Sequence, residues 1–227
     1  MKFLKSFLAA AAASLLVAAP LAANATIALQ LDDAATVGVD KLIFDGGAGD
    51  ADGLVDGKIT YLGAAGNWTI NVSTGLGNGV LADFGIDLNS VNVSGAGAGV
   101  LTVSFTETDM NFGLGGPTAV YGNIGGTAGG NFGYTLFADD ANALFGTTAT
   151  AFSGSTGPGA FSASGGGNVL LNDPFSLTLQ VAIDHLGVTG KSTSFDFEGK
   201  IPEPTSLALL SLALLGAGAA TRRRNKA

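Results

Sequence analysis

Side-chain alternation is the strongest constraint on what this chain can fold into. From Asn67 to Thr74, Trp68, Ile70 and Val72 fall on one side, and Thr69, Asn71 and Ser73 on the other. Leu101, Val103 and Phe105 alternate in the same way with Thr102, Ser104 and Thr106. Leu177, Leu179, Val181 and Ile183 stand opposite Ser176, Thr178, Gln180 and Asp184. Phe195 and Phe197 stand opposite Ser194, Asp196 and Glu198. Successive side chains of a strand point to opposite faces, so a period of two with one apolar side marks a half-buried antiparallel strand. Between residues 26 and 201 no segment sustains a helical apolar period beyond about one turn, which excludes a helical bundle.

Further strands are expected over Thr26–Leu31, Val39–Phe44, Lys58–Leu62, Gly85–Val93, Ala119–Ile124, Phe132–Phe137 and Ala149–Phe152. The breaks carry turn chemistry: Asp45-Gly46-Gly47, Asp52-Gly53, Asp56-Gly57, Gly95–Gly99, Gly113–Pro117, Gly157-Pro158-Gly159 and Gly165–Gly167. Glycine is abundant at 36 residues, and the periodic segments between its clusters assign it to turns and edges, not to disorder. Gly75–Gly79 and Gly95–Gly99 are read as hairpin connections, because no helix follows to complete a phosphate-binding loop. Asp139 to Phe145 is expected as a brief helical turn, and Trp68, sharing a face with Ile70 and Val72, as core. The fold class is all-β: an antiparallel β-sandwich, jelly-roll-like, for residues 26–201.

Both ends of the chain carry a different code. Lys2 and Lys5 precede an apolar run from Phe7 to Ala19, and Ala23-Asn24-Ala25 offers small residues to a signal peptidase. Residues 1–25 therefore read as a secretory signal peptide, with Thr26 as the mature start. At the other end, Pro202-Glu203-Pro204 forms a stiff spacer, since proline fixes φ and lacks an N–H. The run Leu207–Ala220 follows with six Leu, five Ala, two Gly, one Ser and no charge. Arg222, Arg223, Arg224 and Lys226 then make a positive cluster suited to a cytoplasmic anchor. A single transmembrane helix is expected over about 205–221. Its apolar run would rise about 21 Å against a hydrocarbon core of about 30 Å, a marginal span that suits a temporary tether.

Pro-Glu-Pro, a short Leu/Ala run and an arginine cluster, in that order, resemble the PEP-CTERM sorting signal over Pro202–Arg224. The resemblance implies export by a Gram-negative bacterium and handling by exosortase, a membrane protease-transpeptidase. In that reading Pro202, Glu203 and Pro204 are the processing motif, and Arg222, Arg223 and Arg224 the topology anchor. Residues 1–25, 26–201 and 202–227 are then signal peptide, ectodomain and sorting signal. The Sec export machinery, exosortase and, transiently, the inner membrane are the implied partners. Asp45–Asp50, Gly57–Tyr61, Gly66–Val72 and Pro174–Thr178 resemble ectodomains of PEP-CTERM proteins, which bring no activity to transfer. The implied role is a non-enzymatic structural or adhesive one in an exopolysaccharide or biofilm matrix, at the cell surface or outside it.

Residues 26–201 hold seventeen acidic side chains against four lysines, a formal charge of −13. Such a surface repels nucleic acid and anionic polysaccharide. There is no cysteine, so packing alone holds this exported domain and thiol chemistry is excluded. Asp45, Asp50, Asp52 and Asp56 lie on a Gly-rich loop and form the one candidate for a cation. Ca²⁺ takes roughly six to eight oxygens, but the string lacks the third acid and the final Glu of an EF-hand loop. Solvated Asp-Gly turns are the expected reading, with no cofactor required. The lone His185 is expected to face solvent or cap a loop, because Asp184 beside it points to the other face of the strand. Glu107 and Asp109 are expected on a common face, the arrangement a secreted hydrolase would need. A secreted carbohydrate-binding module is the main alternative and would require aromatic side chains exposed on one sheet face.

Overall fold

The computed structural model describes residues 25–77, 84–95 and 99–202. Among these residues the chain forms twelve strands and no helix. The first six are β1 (Ile27–Asp33), β2 (Lys41–Phe44), β3 (Lys58–Ala65), β4 (Trp68–Leu76), β5 (Gly85–Gly95) and β6 (Leu101–Met110). The rest are β7 (Gly115–Ala128), β8 (Asn131–Asp139), β9 (Ala149–Thr156), β10 (Gly159–Asn172), β11 (Phe175–Asp184) and β12 (Lys191–Lys200). Two antiparallel six-stranded sheets result: sheet 1 in the order β2-β1-β6-β11-β8-β9 and sheet 2 in the order β10-β7-β12-β5-β4-β3. From β5 onward the chain changes sheet at nearly every step. It thereby places β12 between β5 and β7, and β11 between β6 and β8. The β1–β2 and β3–β4 hairpins extend the sheets beside β6 and β5.

The alternation read from the sequence is what closes the sandwich. Leu29, Leu31, Val103, Phe105, Leu179 and Val181 of sheet 1 share one buried cluster with Ile70, Val72, Ile86, Leu88, Phe195 and Phe197 of sheet 2. Aromatic pairs tie the layers together: Phe132 meets Phe195 edge-on at 5.2 Å, and Tyr134 meets Phe197 at 6.0 Å. Each such side chain contributes roughly 1.5–3 kcal/mol on burial. Trp68 is core, 1 % exposed. Ile201 is buried and donates its N–H to the Phe84 carbonyl at 2.8 Å, whereas Pro202 is exposed.

Three expectations are corrected. Gly165–Gly167 is not a break but the middle of β10, paired residue by residue with β7. The glycines seat two rings. A Cβ at Gly122 would come within 2.2 Å of Phe152 and one at Gly165 within 3.0 Å, so the Phe152 ring lies over them on the inner side. On the outer side a Cβ at Gly166 would come within 2.7 Å of the Tyr121 ring. Gly115–Pro117, likewise expected in a break, begins β7. Asp139–Phe145 forms turns, not a helical turn, because Asn142 (φ 56°) and Phe145 (φ 55°) are left-handed and interrupt any right-handed run.

Candidate functional site

The outer face of sheet 2 gathers polar side chains from four adjacent strands. Ser164 on β10 pairs with Asn123 on β7, Asn123 with Glu198 on β12, and Glu198 with Asp87 on β5. These positions alternate with buried Ile86, Leu88, Ile124 and Phe197, so the row points outward. Strands about 4.8 Å apart spread it over about 14 Å. Two hollows of about 360 and 370 Å³ share Asn123 and Glu198 and form one trough. The first is lined also by Asp87, Asn89, Ser162 and Asp196, and the second by Tyr121, Ser164 and Lys200.

Local structure fits each part to its place. On β5, Asn89 and Ser90 together oppose the single Asp196 of β12, a bulge with Ser90 at φ 52°. The Ser90 N–H donates to the Asp196 carboxylate, and the Ser90 hydroxyl to Asn89 Oδ1 at 2.8 Å. A bulge re-aims side chains at a sheet surface, and here it presents Asn89 to the trough. Tyr121 is 51 % exposed and is paired with Gly166 on the neighbouring strand, where the missing Cβ leaves room for its ring. Lys200 donates to Glu198 at 2.8 Å.

The electrostatics are uneven. Burial, reinforced by the neighbouring Glu198 carboxylate, pushes the Asp87 carboxyl up to about 6; a hydrogen bond with Asn89 and the Lys200 cation pull it back in part, and Asp196 adds to the rise. Among the described residues, the side chains of Asn123, Ser162 and Ser164 take no hydrogen-bond partner. The trough therefore offers amide, hydroxyl and carboxylate groups beside one aromatic face. Neither histidine nor cysteine lines it, and its one amine, Lys200, is paired with Glu198.

The sequence-predicted candidates lie elsewhere and do different work. Asp45 accepts the Asp56 and Gly57 N–H groups at 3.3 and 2.9 Å, and Asp50 those of Gly46 and Thr60, both at 3.0 Å. Asp52 accepts the Leu54 N–H, and Asp56 the Lys58 ammonium at 2.7 Å. Among the described residues no group of three or more such side chains is placed to hold a metal ion. His185 is corrected: it is fully buried, bonded to Thr193 Oγ1 at 2.9 Å and packed against the Trp68 ring at 4.9 Å. A turn after β11 carries it inward, where sequence adjacency to Asp184 says nothing.

Glu107 and Asp109 do not share a face. Leu177 pairs with Glu107 but Phe175 with Met110, so β6 carries an extra residue at that point. Asp109 takes φ 59° there and turns to Asn142, whose Nδ2 donates to it at 2.8 Å, while Glu107 is buried. Pro202 is the one member of the Pro-Glu-Pro motif within the described residues. Glu203, Pro204, Arg222, Arg223, Arg224, Ala23 and the expected helix over 205–221 lie outside them; Ala25, within them, is exposed. The trough itself was missed. Alternation set Asp196 and Glu198 opposite the apolar side, but only the pairing of β5, β12 and β7 brings them together with Asp87 and Asn123.

Fold and site define an all-β sandwich domain with a polar trough on one sheet. The tail is identified by comparison: residues 200–224 match the family model of the PEP-CTERM protein-sorting motif, so the chain carries that motif at its C-terminus. No curated protein matches the chain. Among solved structures it is similar to a PA14 sugar-binding domain from an RTX adhesin, at 13% identity and a TM-score of 0.29, over 45% of this chain and 46% of that one. This chain thus spans less than half the length of that structure. It is also similar to the cleaved adhesin domain of Lys-gingipain from Porphyromonas gingivalis, at 11% identity and a TM-score of 0.33, over 63% and 86% of the two chains. A family 29 carbohydrate-binding module gives 13% identity and a TM-score of 0.28, over 70% and 89%. At such identities and TM-scores, what this chain does rests on its own residues.

Proposed function

We propose that this is an exported protein, sorted and processed by an exosortase, whose sandwich domain serves in the polysaccharide matrix at or beyond the cell surface. The single observation that carries the reading is the sorting motif over residues 200–224. In this scheme residues 1–25 are a signal peptide recognised by the Sec machinery and cleaved after Ala25. Residues 26–201 form the ectodomain, and residues 202–227 the sorting signal. The apolar stretch over about 205–221 then spans the inner membrane once and briefly, with Arg222, Arg223 and Arg224 in the cytoplasm. Exosortase acts near Pro202, Glu203 and Pro204 and passes the domain to the surface or matrix of a Gram-negative cell. Support for that boundary comes from Ile201, buried and hydrogen-bonded to Phe84, followed directly by exposed Pro202.

The strand order of β5–β12, with β12 between β5 and β7 and β11 between β6 and β8, supports a jelly-roll type of sandwich. The role of the domain is non-enzymatic: structural or adhesive, toward exopolysaccharide. A second reading, that the sandwich is itself a carbohydrate-binding module, is favoured by the trough on sheet 2 and its one exposed ring, Tyr121. The test is intact mass and cell fractionation of the native protein beside a strain carrying Pro202-Glu203-Pro204 changed to three alanines. The expected wild-type product lies outside the cell and lacks both its N-terminal 25 residues and its C-terminal segment, with the altered protein retained full-tailed in the membrane. A wild-type protein that keeps Arg222–Arg224 and stays in the membrane would sink the processing scheme.

A further inference from the structure

We infer that the trough across β10, β7, β12 and β5 is a binding site for a neutral oligosaccharide segment, with Tyr121 as the stacking platform and Asn123, Glu198 and Asp87 as hydroxyl partners. The inference deepens the matrix reading by naming a site and a ligand chemistry, and it depends on that reading only for where the ligand is met.

Several features of the trough converge on this ligand. The four strands beneath it are paired along their length, with β7, β12 and β5 interior to the sheet. β10 is the edge of the sheet, but over β7, β12 and β5 no backbone edge is offered, so side chains must do the reading there. Beside the charged groups those side chains include uncharged hydrogen-bonding ones: Asn123, Asn89, Ser162 and Ser164. Amide groups of this kind both donate and accept, as a ring bearing neighbouring hydroxyls requires. The aromatic face is held ready. A Cβ at Gly166 would come within 2.7 Å of the Tyr121 ring, so the glycine leaves room for a ring that is 51 % exposed. A half-exposed aromatic ring is suited to the apolar face of a sugar.

Charge then selects among saccharides. Asp87, Asp196 and Glu198 line the trough with Lys200 as the single cation. A uronate or sulfated chain would bring like charge against three carboxylates, within a domain of formal charge −13. A small cation is a poorer occupant, because the carboxylates are engaged: Asp196 by the Ser90 N–H, Glu198 by Lys200, and Asp87 by Asn89. The row runs across strands for about 14 Å, and the two hollows share its middle, so the site fits an oligosaccharide and not a single ring.

The test is affinity electrophoresis of the full-tailed protein, extracted in mild detergent from the strain carrying Pro202-Glu203-Pro204 changed to three alanines, through gels containing galactomannan, xylan, dextran or alginate. Extraction of the whole chain keeps this result separate from whether exosortase processes the tail. Retardation by at least one neutral polysaccharide and none by alginate is expected. Retardation should survive about 1 M salt, where charge interactions are screened within about 3 Å. Tyr121→Ala should weaken it at least about tenfold with an unchanged thermal melt, because that side chain is half exposed. Asn123→Ala should weaken it severalfold, and Leu62→Ala, an exposed apolar side chain on β3 away from the trough, should leave it intact. The proposal is overturned if no neutral polysaccharide retards the protein, or if alginate does so instead. Loss of retardation in high salt would point to a cationic or charge-driven partner and overturn it equally. Full retention by Tyr121→Ala would do the same.

Discussion

On sheet 1, outward-facing Thr106 and Thr178 sit beside one another on β6 and β11, out of solvent, with their hydroxyls 3.0 Å apart. Thr106 also donates to the Leu177 carbonyl, and Gln180 Nε2 reaches Ser104 at 3.2 Å. On sheet 2, the corresponding outward row of Asn123, Glu198 and Asp87 faces an open trough. One face buries its hydrogen bonds out of solvent, whereas the other makes its own, such as Lys200 to Glu198, at an open surface. The carboxylates follow the same division. At the end of β8 in sheet 1, Asp139 is 1 % exposed. Burial alone would raise its carboxyl, but donation from Thr148 and from the Ala143 and Ala141 N–H groups outweighs that and holds it below the usual carboxylate value. Asp87 on sheet 2 is given one amide partner and two acidic neighbours, and rises. The buried carboxylate of Asp139 is surrounded by donors, whereas Asp87 in the trough is not.

The largest expected effect is at Asp139. Asp139→Ala removes the acceptor that fixes the loop from Asp140 to Thr148 and leaves the Ala143 N–H and the Thr148 hydroxyl without it. A loss of about 3 kcal/mol is expected, read as a fall in Tm of about 9 °C for a domain of this size. Asp139 has a lowered carboxyl, so its contribution is present above the unfolded carboxylate value near 3.8 and fades as pH falls through the folded one. The penalty of the substitution should therefore shrink in acid. A penalty that grew on acidification would contradict the arrangement of donors.

Thr106→Val comes next. It preserves shape but strips the hydroxyl from a buried pair, leaving the Leu177 carbonyl and Thr178 without their partner. About 2 kcal/mol is expected, with a Tm about 5 °C lower and no change in polysaccharide retardation. If retardation were lost with this variant and kept with Tyr121→Ala, the two faces would have exchanged roles.

The division between the faces was only half legible in the sequence. A period of two tells which side chains point outward, and it set Thr106, Thr178 and Glu198 opposite the apolar side. It does not tell which strands are neighbours. Asp87 and Glu198 are far apart in the chain, and their pairing arises because the last strand inserts between β5 and β7. The bulges at Ser90 and Asp109 are equally hidden, since each shifts the strand by one residue and so reverses the facing of the side chains beyond it. That reversal is why Glu107 and Asp109 looked like a pair. The strand through Gly165–Gly167 was lost because glycine in a strand and glycine in a turn read alike until the rings of Phe152 and Tyr121 are set against it. His185 was misjudged for a related reason: its environment is supplied by Trp68 and Thr193, not by its chain neighbours. The tail was the most legible part, because its order of spacer, apolar run and cations is local.

Asp87→Asn is the smallest effect and the sharpest probe of the difference between the faces. In the folded protein this carboxyl sits at about 6 against an ordinary value of 3.8, so the native state binds a proton that the unfolded chain releases. Stability due to this group is therefore undiminished below about pH 4, declines as pH rises through 6, and is fully lost above it. The asparagine variant cannot ionise and escapes that loss. It should be more stable than the parent at pH 7.5 by about 1 kcal/mol, a figure set below the full linkage value because the partly exposed carboxyl is screened by solvent. The two proteins should melt together near pH 4. Asp139→Ala behaves in the opposite sense at neutral pH, costing stability where Asp87→Asn adds it. Denaturant midpoints for both variants at pH 4 and 7.5 would reveal this crossing. Parallel shifts for the two would mean that Asp87 holds the fold as Asp139 does, and that the trough is an ordinary surface.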